Sequence, residues 1–203
     1  MSADTRIPVE DISAVILAGG RARRMDGEDK GLIELHGRPL LDYIISALRP
    51  QVGEILVNAN RNLDRYSAFG FPVKEDILGN FFGPLVGMAT GMQATDKPYL
   101  LTVPCDSPFV PAQLAGALYR ALIGENADIS VAHDGERMQP VFALLNCELL
   151  PSLLDYLNAG GRKIDTWYAQ HRVALADFSA SPETFLNLNT PADKAGLESR
   201  IME

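Results

Sequence analysis

The sequence predicts an α/β fold: a three-layer domain over residues 1–203, with a mostly parallel, twisted sheet and helices on both faces. Three observations predict it. Short runs of branched and aromatic residues, bounded by Gly, Pro, Asn or Asp, read as strands. Apolar stripes at helical spacing lie between those runs. The two kinds of segment alternate along the chain, as they do when helices cover both faces of a parallel sheet.

Strands are expected at 14–17, 54–58, 72–75, 99–103, 128–132, 141–145, 173–177 and 185–188. The first helix is expected to begin at Pro39, whose fixed φ suits a first helical position. Leu41, Ile44, Ile45 and Leu48 give it one apolar face, and Pro50 stops it. Further stripes follow Pro84 (Leu85, Met88, Ala89, Met92) and Pro111 (Leu114, Leu118, Ala121, Leu122). Leu150, Leu153, Leu154 and Leu157 make another, ended by Gly160-Gly161. Thr190 as N-cap, Pro191 in the first turn and Asp193 beside it open a last helix.

Composition narrows the functional classes. Apolar and charged contents of 47% and 22% are ordinary for a globular chain. The apolar runs are too short to cross a bilayer, so no membrane association is expected. The first thirteen residues hold no apolar stretch, which predicts no secretory leader. Two cysteines, Cys105 and Cys147, make no disulfide framework, and the cytoplasm is the expected compartment. A net charge of −8 argues against nucleic acid as a partner. A local cluster of cations, Arg21, Arg23 and Arg24, stands out against that acidic background.

The cluster sits in the most informative stretch, residues 16–30. An apolar strand runs into Ala18-Gly19-Gly20, then the arginines, then Lys30. Glycine lets backbone approach an anion closely, and exposed N–H groups and cations share phosphate charge. The loop is not GxxxxGK[ST], because Lys30 lies ten residues past Gly20 and precedes Gly31; adjacent Gly19 and Gly20 also rule out GxGxxG. Parallel sheets bind ligands beyond the carboxyl ends of their strands. Those positions hold Asn58-Ala59-Asn60-Arg61, Asp76 and Pro104-Cys105-Asp106-Ser107-Pro108. Asp106 follows a very apolar strand and is framed by two prolines, so a rigid carboxylate stands beside the basic loop, as Mg²⁺ bound with phosphates requires.

Leu17-Ala18-Gly19-Gly20, Arg24-Met25 and Asp29-Lys30-Gly31-Leu32 resemble the signature of nucleotidyltransferases that activate small molecules with NTP. With Val57 to Arg61, Glu75-Asp76, Gly83 to Met88, Pro104 to Pro108, His133 to Arg137 and Asn187 to Pro191, the ordered set resembles the molybdenum cofactor guanylyltransferases. The resemblance implies a Rossmann-like nucleotidyltransferase fold. It implies transfer of GMP from GTP to the terminal phosphate of a molybdenum-molybdopterin cofactor, with Mg²⁺, releasing pyrophosphate. Arg24, Lys30 and Asp106 would be catalytic, with Asp106 holding the metal. Leu17, Ala18, Gly19, Gly20, Lys30, Asn58, Asp76, Pro84, Leu85 and Asp106 would bind GTP. His133, Asp134, Arg137, Asn187 and Asn189 would lie on the acceptor side. Partners would be cofactor-synthesis and molybdoenzyme-delivery proteins, and the chain is expected to be a monomer.

The Gly83-Pro84-Leu85 string and Leu17 at the head of the loop favour guanine over cytosine in that resemblance. Met138-Gln139 departs from it, since relatives often carry Asp-His there. Cys105 has no histidine in its motif to activate it and is expected to be a small buried residue. His36 and His171 are expected at the surface. Trp167 and Tyr168 are expected to pack a helix, with stacking on a pterin as the alternative. Asn187 and Asn189 alternate along the expected last strand and so should share a face. Two competing functions stand beside the first: a nucleotidyltransferase using CTP or a sugar-phosphate acceptor, and a non-catalytic nucleotide-binding carrier, against which Lys30 and Asp106 argue.

Overall fold

A computed structural model describes residues 7–18, 29–79, 83–190 and 193–196. In chain order the elements are β1 (Ile12–Leu17), β2 (Glu34–Leu35), β3 (Arg38–Pro39), α1 (Leu40–Leu48), β4 (Glu54–Asn58), α2 (Leu63–Ser67), β5 (Val73–Lys74), α3 (Pro84–Ala94), β6 (Tyr99–Pro104), α4 (Leu114–Gly124), β7 (Ile129–His133), β8 (Met138–Asn146), α5 (Leu150–Asn158), α6 (Ile164–Tyr168) and β9 (Val173–Asp177). Seven strands form one sheet in the order β5-β4-β1-β6-β8-β7-β9. Its pairings are parallel except those of β8, which runs against both β6 and β7.

Strand β1 shows why the sheet needs cover on both sides. Ile12, Ala14 and Ile16 pack with α1 and α4 on one face, through Leu41, Ile44, Leu48, Leu114 and Leu118. Val15 packs on the opposite face with α3, α5 and α6, through Val86, Met88, Ala89, Leu153 and Trp167. Alternation at period 2 therefore feeds two separate apolar layers, and a near-continuous apolar run is the result. Gly91 lets α3 lie against the sheet, since a Cβ there would stand 2.9 Å from Leu100 Cδ2.

Several expectations change. Residues 185–188 are not a strand: Pro182–Phe185 form a 3-10 turn, and Phe185 packs edge-on against Phe142 and Phe178. The proline in that turn and the aromatic anchor hold the segment out of the sheet. Pro39 ends β3 and is the N-cap of α1 rather than its first residue, because its backbone is extended. His171 is half-buried: its ring stands edge-on to Trp167, and its Nε2 is 3.1 Å from Ser152 Oγ. Burial lowers its pKa from the ordinary value. Trp167 and Tyr168 are buried in the core layer beneath α3 and α5. Thr190 caps as expected, with Asp193 N donating to Thr190 Oγ1 and Asp193 Oδ2 accepting from Thr190 N.

Candidate active site

Sheet register sets the site. Leu17, the last residue of β1, pairs with Asn58 on one side and Pro104 on the other. Asn58 in turn pairs with Lys74. The residues just beyond these strand ends therefore share one edge: Ala18, the 59–62 turn, Asp76 and Asp106. The chain leaves β1 toward β4 and β5, then returns to β6 on the other flank, so β1 and β6 bound the topological switch point. Two bonds seal the strand ends, Ala18 N to Asn58 O (2.8 Å) and Cys105 N to Leu17 O (3.2 Å).

On the β6 side, Lys30 Nζ donates to Asp106 Oδ2 at 2.8 Å, with 28% and 15% of the two side chains exposed. Lys30 also donates to Asn189 Oδ1. Leu188 N donates to Asp106 O at 2.7 Å, and Ser107 Oγ lies in hydrogen-bond contact with Asn187 Oδ1. Asn187 thus meets the Asp106 loop and Asn189 meets Lys30, neither of them on a strand. The loop backbone carries them there, so their roles differ. Cys105 is buried beneath, its thiol pushed up to about 12 by burial and then by the neighbouring Asp106. A thiol held protonated in this way is a poor nucleophile.

On the β4 side, Asn58 Nδ2 donates to Asp76 Oδ1 at 2.9 Å and to Lys74 O at 3.2 Å. Asn60 Nδ2 donates to Asp76 Oδ2 at 2.8 Å, and Asp76 N returns a bond to Asn60 Oδ1 at 2.8 Å. Pro84 starts α3 behind this network. The side chain of Leu85 is fully buried in the core, so only its backbone is near the site's wall. Gly87 is the closest approach of helix to site: a Cβ there would sit 2.5 Å from Asn58 Oδ1 and 2.7 Å from Leu17 Cδ2.

A cleft of about 400 Å³ opens beside Asp106, lined by Pro104, Arg137, Gln139, Phe142 and Asn187 among others. It exists because the β7–β8 register slips after Val131, where Ala132 pairs with Gln139 instead of continuing from Ala143. Thr102 Oγ1 satisfies the Val141 carbonyl released by the slip. Arg137 is exposed at the cleft's mouth. Asp134 is turned inward on its own loop, accepting from Glu136 N, Arg137 N and Gln139 Nε2. Those backbone bonds, Arg137's first, hold its pKa down to about 2. His133 Nδ1 accepts from Gly135 N in the same turn. Asp134 therefore shapes the turn that presents Arg137, and Met138 and Gln139 border the cleft. Gly19, Gly20, Arg21, Arg23 and Arg24 lie outside the described residues.

Sequence reasoning passed over Asp29, Asn60, Arg61, Ser107 and Gly87 as working residues. The signal for Asn60 and Arg61 was their place just past a buried strand. Nothing local marked Gly87.

The model of the MobA-like NTP transferase domain matches residues 14–174. A protein of Shewanella sediminis named molybdenum cofactor guanylyltransferase is 53% identical over 190 residues, covering 94% of this chain and 97% of that one. The fold is similar to a crystal structure of molybdopterin-guanine dinucleotide biosynthesis protein A from Archaeoglobus fulgidus (TM-score 0.76, 18% identity, 94% and 98% covered). It is as similar to a 4-diphosphocytidyl-2C-methyl-D-erythritol synthase from Anaerococcus prevotii (TM-score 0.76, 14% identity, 99% and 100% covered), so fold alone does not choose among nucleotides. Sequence identity across nearly the whole length does choose a branch: the chain belongs to the MobA-like NTP transferases, among the molybdenum cofactor guanylyltransferases.

Proposed function

We propose that the chain transfers GMP from GTP to the terminal phosphate of a molybdenum-molybdopterin cofactor, giving a guanine dinucleotide cofactor and pyrophosphate. The observation that carries this reading is the meeting of Lys30 and Asp106 at the switch point, in a chain sharing half its residues with proteins of that name. An acceptor phosphate oxygen attacks the α-phosphorus of GTP. One P–O bond forms, the bond to the bridging oxygen breaks, and pyrophosphate leaves. The attacking phosphate is already an anion, so no strong base is needed. The protein's work is to align two polyanions and offset their repulsion.

In the free site Lys30 and Asp106 neutralise each other. Lys30 would then serve the triphosphate, and Asp106 is the residue that would hold Mg²⁺. The donor chemistry fits that ion: Asp106 offers one carboxylate at the cleft, and Mg²⁺ takes one or two carboxylates with substrate phosphates and water. When bound, the ion supplies positive charge at the phosphate oxygens. Leu17, Ala18, Asn58, Asp76 and the backbone at Pro84 and Leu85 form the nucleoside wall, and Arg24 joins Lys30 on the phosphates. Arg137, Asn187 and Asn189 face the acceptor at the cleft. His133 and Asp134 support Arg137 through the 134–137 turn.

A chain acting on these substrates belongs in the cytoplasm. It works as a monomer that hands its product to molybdoenzyme-delivery proteins.

Pyrophosphate release from GTP, Mg²⁺ and a molybdopterin-type acceptor tests the reading. Turnover with GTP alone among the four NTPs is expected. Preference for CTP would overturn the base, and nucleotide binding without pyrophosphate release would revive the carrier alternative.

A further inference from the structure

Beneath the Lys30 turn lies a charged pair, a buried Asp29 and a half-buried Arg61, that the reaction does not use directly. Asp29, 2% exposed, is the N-cap of the turn Lys30–Leu32 and accepts Leu32 N through its carbonyl. Its carboxylate pairs with the Arg61 guanidinium and accepts Asn62 Nδ2 at 2.9 Å. Asn62 stands in the left-handed region (φ +51°), which turns its amide back toward Asp29. Tyr66 closes the cluster from below, its hydroxyl buried and its pKa raised by that burial. Asp29 Oδ1 and Arg61 Nη2 meet in the ion pair, while Arg61 Nε and Tyr66 Oη beside them are, among the described residues, buried without a hydrogen-bond partner.

A carboxylate buried against a partly exposed guanidinium, beside polar atoms without partners, adds little net stability, since desolvation offsets its attraction and apolar replacements are often neutral. Its placement gives it another use. Arg61 is the neighbour of Asn60, which holds Asp76, and Asp29 is the neighbour of Lys30, which holds Asp106. We propose that the Asp29–Arg61 pair is a positioning device that fixes Lys30 for the triphosphate and ties the phosphate edge of the site to its nucleoside edge. The inference rests on the phosphate-binding role of Lys30 proposed above.

The double variant Asp29→Leu/Arg61→Met tests it, because it removes both charges together and leaves neither buried alone. Its unliganded melting temperature should stay within a few degrees of wild type. The rate of pyrophosphate release should fall at least tenfold, and heat protection by inorganic triphosphate with Mg²⁺ should drop to that of Lys30→Ala. Arg61→Lys, which keeps charge but loses the planar fork, should lie between the two. Near-normal turnover and protection in the double variant would overturn the proposal. So would a parallel loss of unliganded stability and activity, which would mark the pair as structural. If the wild type itself releases no pyrophosphate, the guanylyltransferase reading fails, while triphosphate protection still decides the role of the pair.

Discussion

The two edges of the site are built differently. On the nucleoside edge, Asn58, Asn60 and Asp76 satisfy one another: both carboxylate oxygens accept an amide, and the amide oxygen of Asn60 is repaid by a backbone N–H. On the proposed phosphate edge, charge is concentrated in Lys30, Asp106 and Asp29, with Asp29 paired across to Arg61 of the β4 turn, and Arg61 Nε and Tyr66 Oη beneath stand without hydrogen-bond partners. The first network is closed on itself, and in the proposed function it would select by shape and fixed hydrogen bonds. The second, in the proposed function, would turn its charge to a polyanion. Under the proposed function, recognition would rest on the complete network and chemistry on the charged one, two kinds of polar network in one sheet edge.

Removing Asp106 should break the phosphate edge most severely. Asp106→Ala is expected to lower pyrophosphate release by about 10²–10³-fold, the scale of losing one preorganised electrostatic group, with unchanged circular dichroism. Turnover at near-normal rate would remove Asp106 from the chemistry. Gly87→Ala attacks the nucleoside edge from behind, because its Cβ would stand 2.5 Å from Asn58 Oδ1. Overpacking of that kind costs about 1–3 kcal/mol, to be read from urea unfolding, and GTP protection should weaken with it. Asn60→Ala sharpens the comparison: it removes two bonds to Asp76 and should cost about 1 kcal/mol. The KM for GTP should rise while kcat holds, since the phosphate edge is untouched. The smallest effect lies outside both edges. Burial depresses the pKa of His171 below its ordinary 6.5, so the folded state binds its proton less well than the unfolded chain. Stability is intact above pH 6.5 and falls as pH drops through the folded value. Replacing His171 with Gln should flatten the melting temperature between pH 7 and 5 without altering turnover at neutral pH.

Much of the architecture was legible because it rests on local patterns. The strands at 54–58 and 173–177 appear with the expected limits, since each is a branched run between clear turn residues. The strand expected at 185–188 failed for a tertiary reason: Phe185 is drawn into an aromatic cluster with Phe142 and Phe178, which no local window reveals. The hairpin β2–β3 was missed because its strands are two residues each and carry no alternation. At the site, Asn58, Asp76 and Asp106 could be picked out by position, as polar residues at or just beyond the ends of apolar strands, and Lys30 as the cation that follows the glycine loop. Their pairing could not. That Lys30 meets Asp106, 76 residues away, follows from the return of β6 to the flank of β1. Gly87 was invisible because its role is an empty space.

The reversed strand β8 has a consequence for how such a chain diversifies. Because β8 runs against its neighbours, its first residue and the last residue of β7 open onto the functional edge, joined by only the turn 134–137. Insertions or exchanges in that turn would reshape the mouth of the cleft while leaving every strand in register. One short hairpin is therefore the cheapest place for evolution, or for an engineer, to exchange the acceptor while keeping the nucleotide.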